Sequence, residues 1–111
     1  MRKSTLLTTK SLLELLILNM LGGRSVTVEE MMAALTKTNI SVSLGTLYPQ
    51  LLHMRKAGLL YKGLEEMDEG GLKYCFSITE TGRSRLKFLR KELHRINALI
   101  NKTKSPLQSP L

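Results

Sequence analysis

The chain has 111 residues, 42% of them apolar, with 17 Lys and Arg against nine Asp and Glu and a formal net charge of +8. That length suits one domain with much of its chain near the surface, and the charge suits an anionic partner such as nucleic acid or an acidic membrane surface. A single cysteine, Cys75, excludes a disulfide framework within the chain and fits a reducing, cytoplasmic compartment.

Residues 4–21 read as a helix ended by Gly22-Gly23. From Leu12 onward its apolar residues surround most of the circumference, so it is expected to be buried on nearly all sides, partly by the domain core and partly by a second subunit. Arg2 and Lys3 ahead of this run resemble a signal peptide only superficially. Glu14 and Asn19 interrupt the run, Gly22-Gly23-Arg24 is a poor cleavage site, and the stretch is too short to span a bilayer.

Thr27-Val28-Glu29-Glu30 is a capping box that opens a short helix to about Thr36, with Val28, Met31, Met32 and Leu35 inward. After a polar connection, Ser41 or Ser43 can cap a third helix from Val42 to Ala57. Leu44, Leu47, Leu51 and Met54 form its expected buried stripe. Pro49 falls in its early turns, and Gly58 supplies the left-handed stop beyond Arg55 and Lys56.

Residues 59–65 and 72–78 read as the two strands of a hairpin turned by Gly70-Gly71. Leu72, Tyr74, Phe76 and Ile78 alternate with polar or small residues, a period of two with one buried face expected. Thr79 then caps a last helix from Glu80 to about Thr103. Leu86, Leu89, Leu93, Ile96 and Ile100 step by three and four, a heptad seam that calls for a partner helix. Residues 105–111 read as a disordered tail.

Charge is unevenly distributed along this framework. Residues 1–63 carry a net +5, residues 64–81 a net −4 and residues 82–111 a net +7. The acidic run Glu65-Glu66-Met67-Asp68-Glu69 sits at the hairpin turn, where it reads as a solvated loop or as a protein contact. Arg83 and Arg85 are the candidates for phosphate in the last helix, while Lys102 and Lys104 read as a solvated face. The two histidines, His53 and His94, have no ligand-spaced Cys or carboxylate near them, and no nucleophile–base pair or phosphate-cradling glycine loop stands out. Neither an enzyme, a cofactor nor a metal is expected.

The segment Leu44-Gly-Thr-Leu-Tyr-Pro-Gln-Leu-Leu-His-Met-Arg-Lys-Ala-Gly-Leu-Leu60, followed by Gly70-Gly-Leu-Lys-Tyr-Cys-Phe-Ser-Ile-Thr-Glu-Thr-Gly82, resembles the PadR family of winged-helix transcription regulators. The likeness is strong over residues 43–86 and loose over the first two helices. Its most specific part is Gly45-Thr46-Leu47-Tyr48-Pro49 beside the hairpin.

The resemblance implies a mainly α fold with a two-stranded β wing: a winged helix-turn-helix domain over residues 4–79 and a dimerisation helix over 80–104. It implies a homodimer acting on double-stranded DNA, probing the major groove with the third helix. The last helix would pack on the partner's first helix, through Leu12, Leu16, Met20, Leu86, Leu89, Leu93, Ile96 and Ile100. An intramolecular helix pair is the alternative.

With the expected stripe inward, Ser41, Ser43, Thr46, Gln50 and His53 would face DNA, where hydroxyls and amides can meet base edges or phosphates. Tyr48 inherits a phosphate contact from the resemblance and otherwise reads as half-buried beneath the wing. Lys62 and Lys73 would touch the backbone, although the acidic turn departs from the basic wing typical of the family. The function expected is a sequence-specific regulator, a repressor, on an inverted repeat. A non-specific architectural DNA binder and a protein-interaction module are the other readings. A small-molecule effector is left unidentified, and no membrane partner is expected.

Overall fold

The protein is described over residues 8–103 by a computed structural model. Four helices and three strands follow in the order α1 (Thr9–Met20), β1 (Val26–Thr27), α2 (Val28–Lys37), α3 (Leu44–Lys56), β2 (Leu60–Glu66), β3 (Leu72–Ile78) and α4 (Glu80–Lys102). The strands form one antiparallel sheet in the order β1-β3-β2. The expected tail at 105–111, and the expected helical residues 4–7, lie outside the described residues.

Side-chain caps set most helix starts. The Thr8 hydroxyl accepts the Ser11 N–H at 3.0 Å ahead of α1. At α2 the capping box closes in both directions: the Glu30 N–H donates to the Thr27 hydroxyl at 3.1 Å, and the Thr27 N–H donates to the Glu30 carboxylate at 3.0 Å. α3 starts at Leu44 rather than Val42, and its N-cap Ser43 makes no side-chain cap bond. It stops as expected at Gly58, whose φ of 78° lets the Leu59 N–H reach back to the Met54 carbonyl at 3.0 Å.

One core joins all of these elements. Ile17, Leu18 and Leu21 come from the first helix and its end, Met31 and Leu35 from α2, Leu47, Leu51 and Met54 from α3, and Leu60, Phe76, Leu86 and Leu89 from the hairpin and α4. α1 is covered on most sides, but Leu12 is exposed and Leu16 and Met20 are half-buried. No helix among the described residues is long and apolar enough to cross a membrane.

The sheet corrects two expectations. β1 is a third strand that sequence periodicity could not show, because two residues have no period. It pairs Val26 with Phe76 and Thr27 with Cys75. The alternation in β3 predicts a continuous buried row, yet Leu72 is 66% and Tyr74 is 56% exposed, while Cys75 on the opposite face is buried. The hairpin outruns the helical layer beneath its distal half, and Thr27 lies beside Cys75 in the sheet.

Thr79 joins the hairpin to α4. Its hydroxyl donates to the Gly58 carbonyl at 2.6 Å and accepts the Gly82 N–H at 2.9 Å, while its own N–H donates to the Leu59 carbonyl at 3.1 Å. One residue therefore ties the end of α3 to the start of α4.

Candidate nucleic-acid interface

On α3, the buried residues are Leu47, Gln50, Leu51 and Met54. This corrects the orientation expected from sequence at two positions. Gln50 is only 7% exposed and is not available to a base edge. It stands three residues after Leu47 and four before Met54, so it shares their face. Leu44, expected inward, is exposed in the first turn. Ser41, Ser43, Thr46, Tyr48 and His53 are exposed, and the Ser43 and Thr46 hydroxyls lie 3.3 Å apart at the start of the helix.

Between α3 and the hairpin lies a cleft of about 400 Å³ lined by Tyr48, Pro49, Leu51, Leu52, Arg55, Lys62 and Phe76. Tyr48 and Lys62, both singled out from sequence, meet here. Arg55 joins them; the sequence suggested only its favourable place at the negative end of the helix. Together they form a basic rim over apolar walls, suited to a phosphate next to a sugar. The Lys62 ammonium also sits 4.1 Å from the centre of the Tyr74 ring.

Lys73 does not converge on this cleft. It pairs across the sheet with Glu65, whereas Lys62 pairs with Phe76, so alternation puts the two lysines on opposite faces of the hairpin. Its ammonium is 3.9 Å from the Glu69 carboxylate. Glu65 in turn accepts a hydrogen bond from the Ser25 hydroxyl. The turn itself closes through the Met67 N–H donating to the Gly71 carbonyl at 3.0 Å.

Three ionisable groups at the hairpin and α2 are perturbed, and Glu30 raises its partner Arg24 through their hydrogen bond. The Arg24 guanidinium, 2.7 Å away, and then the Thr27 N–H hold the Glu30 carboxyl down at about 2. Its stabilising contribution is therefore complete above the ordinary carboxylate range and is lost as pH falls through about 2. The Glu30 side chain is 43% exposed, so solvent screening keeps the effect below about 1 kcal/mol. In urea unfolding, Glu30→Gln is expected to lower stability at neutral pH, with the gap to the parent narrowing from pH 5 to pH 2. A gap that stays constant would contradict this assignment. Burial, followed by the nearby Glu65 charge, pushes the Cys75 thiol up, which fits a packed residue rather than a redox sensor.

Three side chains stitch α1 to α4. Arg85 grips the Glu14 carboxylate with two bonds of 3.0 Å, Arg90 donates to Asn19, and Arg83 donates to the Gly22 carbonyl at 3.3 Å. Arg85 and Arg90 thus fasten the first half of α4 to α1. Arg85, a phosphate candidate on sequence grounds, is thereby committed to Glu14.

The same packing corrects two expected interface residues. Leu89 is 0% exposed and Leu86 is also buried, so both belong to the core of their own chain. The heptad seam changes role along its length: after Glu92 no residue of α4 is buried, and Leu93, Leu99 and Ile100 are exposed. They leave exposed apolar side chains on the second half of α4, and Leu12 is exposed on α1.

The arrangement of these elements matches known proteins. A PadR-like transcriptional regulator from Bacillus cereus superposes with a TM-score of 0.80 at 27% identity, over 91% of this chain and 96% of that one. A protein from Streptococcus mutans superposes with a TM-score of 0.76 at 27% identity, over 84% and 86% of the two chains. Bacillus subtilis PadR, solved in complex with operator DNA, shares the fold with a TM-score of 0.60 at 16% identity, over 68% of this chain and 46% of that one. No protein of curated function matches the chain. The model of the transcriptional regulator PadR-like family matches residues 17–88, a span that runs from the middle of α1 through the α3–wing cleft to the Glu14-linked turn of α4. With α2, α3, the wing and the cleft falling inside that match, the chain belongs to the PadR-like family of transcriptional regulators, which are not enzymes.

Proposed function

We propose that this regulator acts in the cytoplasm as a homodimer that binds an inverted-repeat operator in double-stranded DNA and represses transcription by occupying a promoter. The observation that carries this reading is the free polar start of α3 beside the basic cleft. Ser43, Thr46 and Tyr48 are exposed there, with Arg55 and Lys62 at the cleft and His53 exposed in the last turn of the helix. The operator complex of Bacillus subtilis PadR supports DNA as the partner.

In this reading the start of α3 enters the major groove, Ser43 and Thr46 meet base edges, and Tyr48 and Lys62 hold the backbone. The acidic turn stays off the phosphates. Leu12, Leu16, Met20, Leu93, Ile96 and Ile100 supply the dimer contact. The winged-helix unit would then comprise residues up to 79, with α4 as the dimerisation helix.

Selection of bound fragments from random DNA, read by sequencing, is expected to yield a two-fold symmetric motif with half-sites about one helical turn apart. Recovery of no motif would leave a non-specific architectural role or a protein-interaction module, because specific binding is defined by the ratio of specific to non-specific affinity and not by salt dependence alone. Leu93→Asp is expected to sediment as a monomer and to lose at least tenfold in operator affinity. A dimeric Leu93→Asp protein would remove α4 from the interface.

A further inference from the structure

The cleft between α3 and the hairpin has properties that phosphate contact does not use. Pro49, Leu51, Leu52 and Phe76 give it apolar walls at a volume of about 400 Å³, within the range of small-molecule sites. Arg55 and Lys62 stand at its edge, and neither forms an ion pair with another described residue. The apolar surface also continues past the cleft. Lys62 pairs with Phe76, Leu64 with Tyr74 and Glu66 with Leu72, so Phe76, Tyr74, Leu64 and Leu72 lie on one sheet face. Leu64, Tyr74 and Leu72 are each more than half exposed. Exposed apolar surface in such a run marks a binding face.

We infer that this strip binds an acyl carboxylate, its head between Arg55 and Lys62 and its chain laid along the hairpin toward Leu72. Shape selects the chain. From Phe76 to Leu72 the row extends four residues, about 13 Å, and it is one strand pair wide. A linear tail can follow it, whereas a compact ring fills only the cleft. Charge sets the direction. The cationic pair lies at the α3 end, and Glu66, Asp68 and Glu69 crowd the far end, where a carboxylate head would be repelled. The site stands independently of DNA binding. Its regulatory consequence rests on the proposed function: a ligand over Tyr48 and Lys62 occupies the surface that would hold the operator backbone, so ligand and DNA exclude each other.

Calorimetric titration of the full chain with octanoate, decanoate and dodecanoate, below their micelle concentrations and without DNA, tests the site. One ligand per chain is expected, with affinity rising about two- to fourfold per added methylene, and with benzoate weaker than decanoate. Arg55→Gln/Lys62→Gln is expected to bind about tenfold more weakly, while Lys37→Gln/Lys102→Gln, with the same change in net charge, binds as the parent does.

Equal affinity in the Arg55/Lys62 variant, no dependence on chain length, or methyl-resonance shifts confined to Leu12 and Leu93 instead of Leu51 and Leu52 would overturn the site. Displacement of a labelled operator duplex by dodecanoate supports mutual exclusion, and simultaneous binding of both refutes it. If no duplex binds at all, the proposed function fails while the titration still decides the site.

Discussion

Gly82→Ala is expected to destabilise the protein by about 1–3 kcal/mol, although the position is helical and exchanging Gly for Ala in a helix ordinarily gains up to about 1 kcal/mol. The reason is the approach of α4 to the chain entering β2. A Cβ at Gly82 would collide with the Leu59 carbonyl oxygen and lie 2.7 Å from Ile78 Cγ1. The carbonyl cannot move freely, because it accepts the Thr79 N–H at 3.1 Å. Relief requires α4 to lift, which opens the packing of Leu86 and Leu89, or the Thr79 junction to give way. Urea unfolding would show the loss as a lower midpoint at nearly constant slope, and a thermal midpoint lower by several degrees per kcal/mol. Ser84→Ala, exposed on the same helix, is the control and is expected to change little. If Gly82→Ala proves neutral or stabilising, the close contact does not exist in solution.

Glu14→Ala is expected to cost about 1–3 kcal/mol, more than a surface ion pair and less than a fully buried one. The Glu14 and Arg85 side chains are 14% and 30% exposed, and two parallel bonds of 3.0 Å join them. Removing the carboxylate leaves the Arg85 guanidinium without its counter-charge, beside the Phe88 ring 5.4 Å away. Part of the cost is thus the stranded charge, so Glu14→Leu/Arg85→Met is expected to recover much of the stability. A double-mutant cycle through Glu14→Ala and Arg85→Ala should return a coupling of about 1–2 kcal/mol. A coupling near zero, or loss abolished by moderate salt, would reduce this pair to an ordinary surface contact.

Local signals in the sequence matched the structure where chemistry acts over a few residues. The capping box at Thr27 and Glu30, the stop at Gly58 and the cap at Thr79 were each readable because a hydroxyl, a carboxylate or a missing Cβ has its partner within one turn. Long-range placement was not readable in this way. Glu14 looked like a flaw in an apolar run until Arg85, 71 positions away, supplied its partner. The heptad from Leu86 to Ile100 has one unbroken period, yet the chain's own core takes Leu86 and Leu89 and leaves Leu93 and Ile100 outside. Periodicity reports that a stripe is apolar, not what covers it. Gln50 was misplaced for a different reason: polarity was taken for exposure, although its spacing from Leu47 and Met54 already put it on their face.

The Thr79 junction and the α1 contacts divide α4 into an anchored root and a free arm. Because one hydroxyl bridges the Gly58 carbonyl and the Gly82 N–H, the end of α3 and the root of α4 are fastened together. Arg85 and Arg90 then hold the next turns to α1, and only beyond Glu92 does the helix, 23 residues long, carry no buried side chain. A load on the free arm is therefore borne first by the α1 contacts, while the Thr79 junction keeps α3 and the root of α4 in one fixed setting.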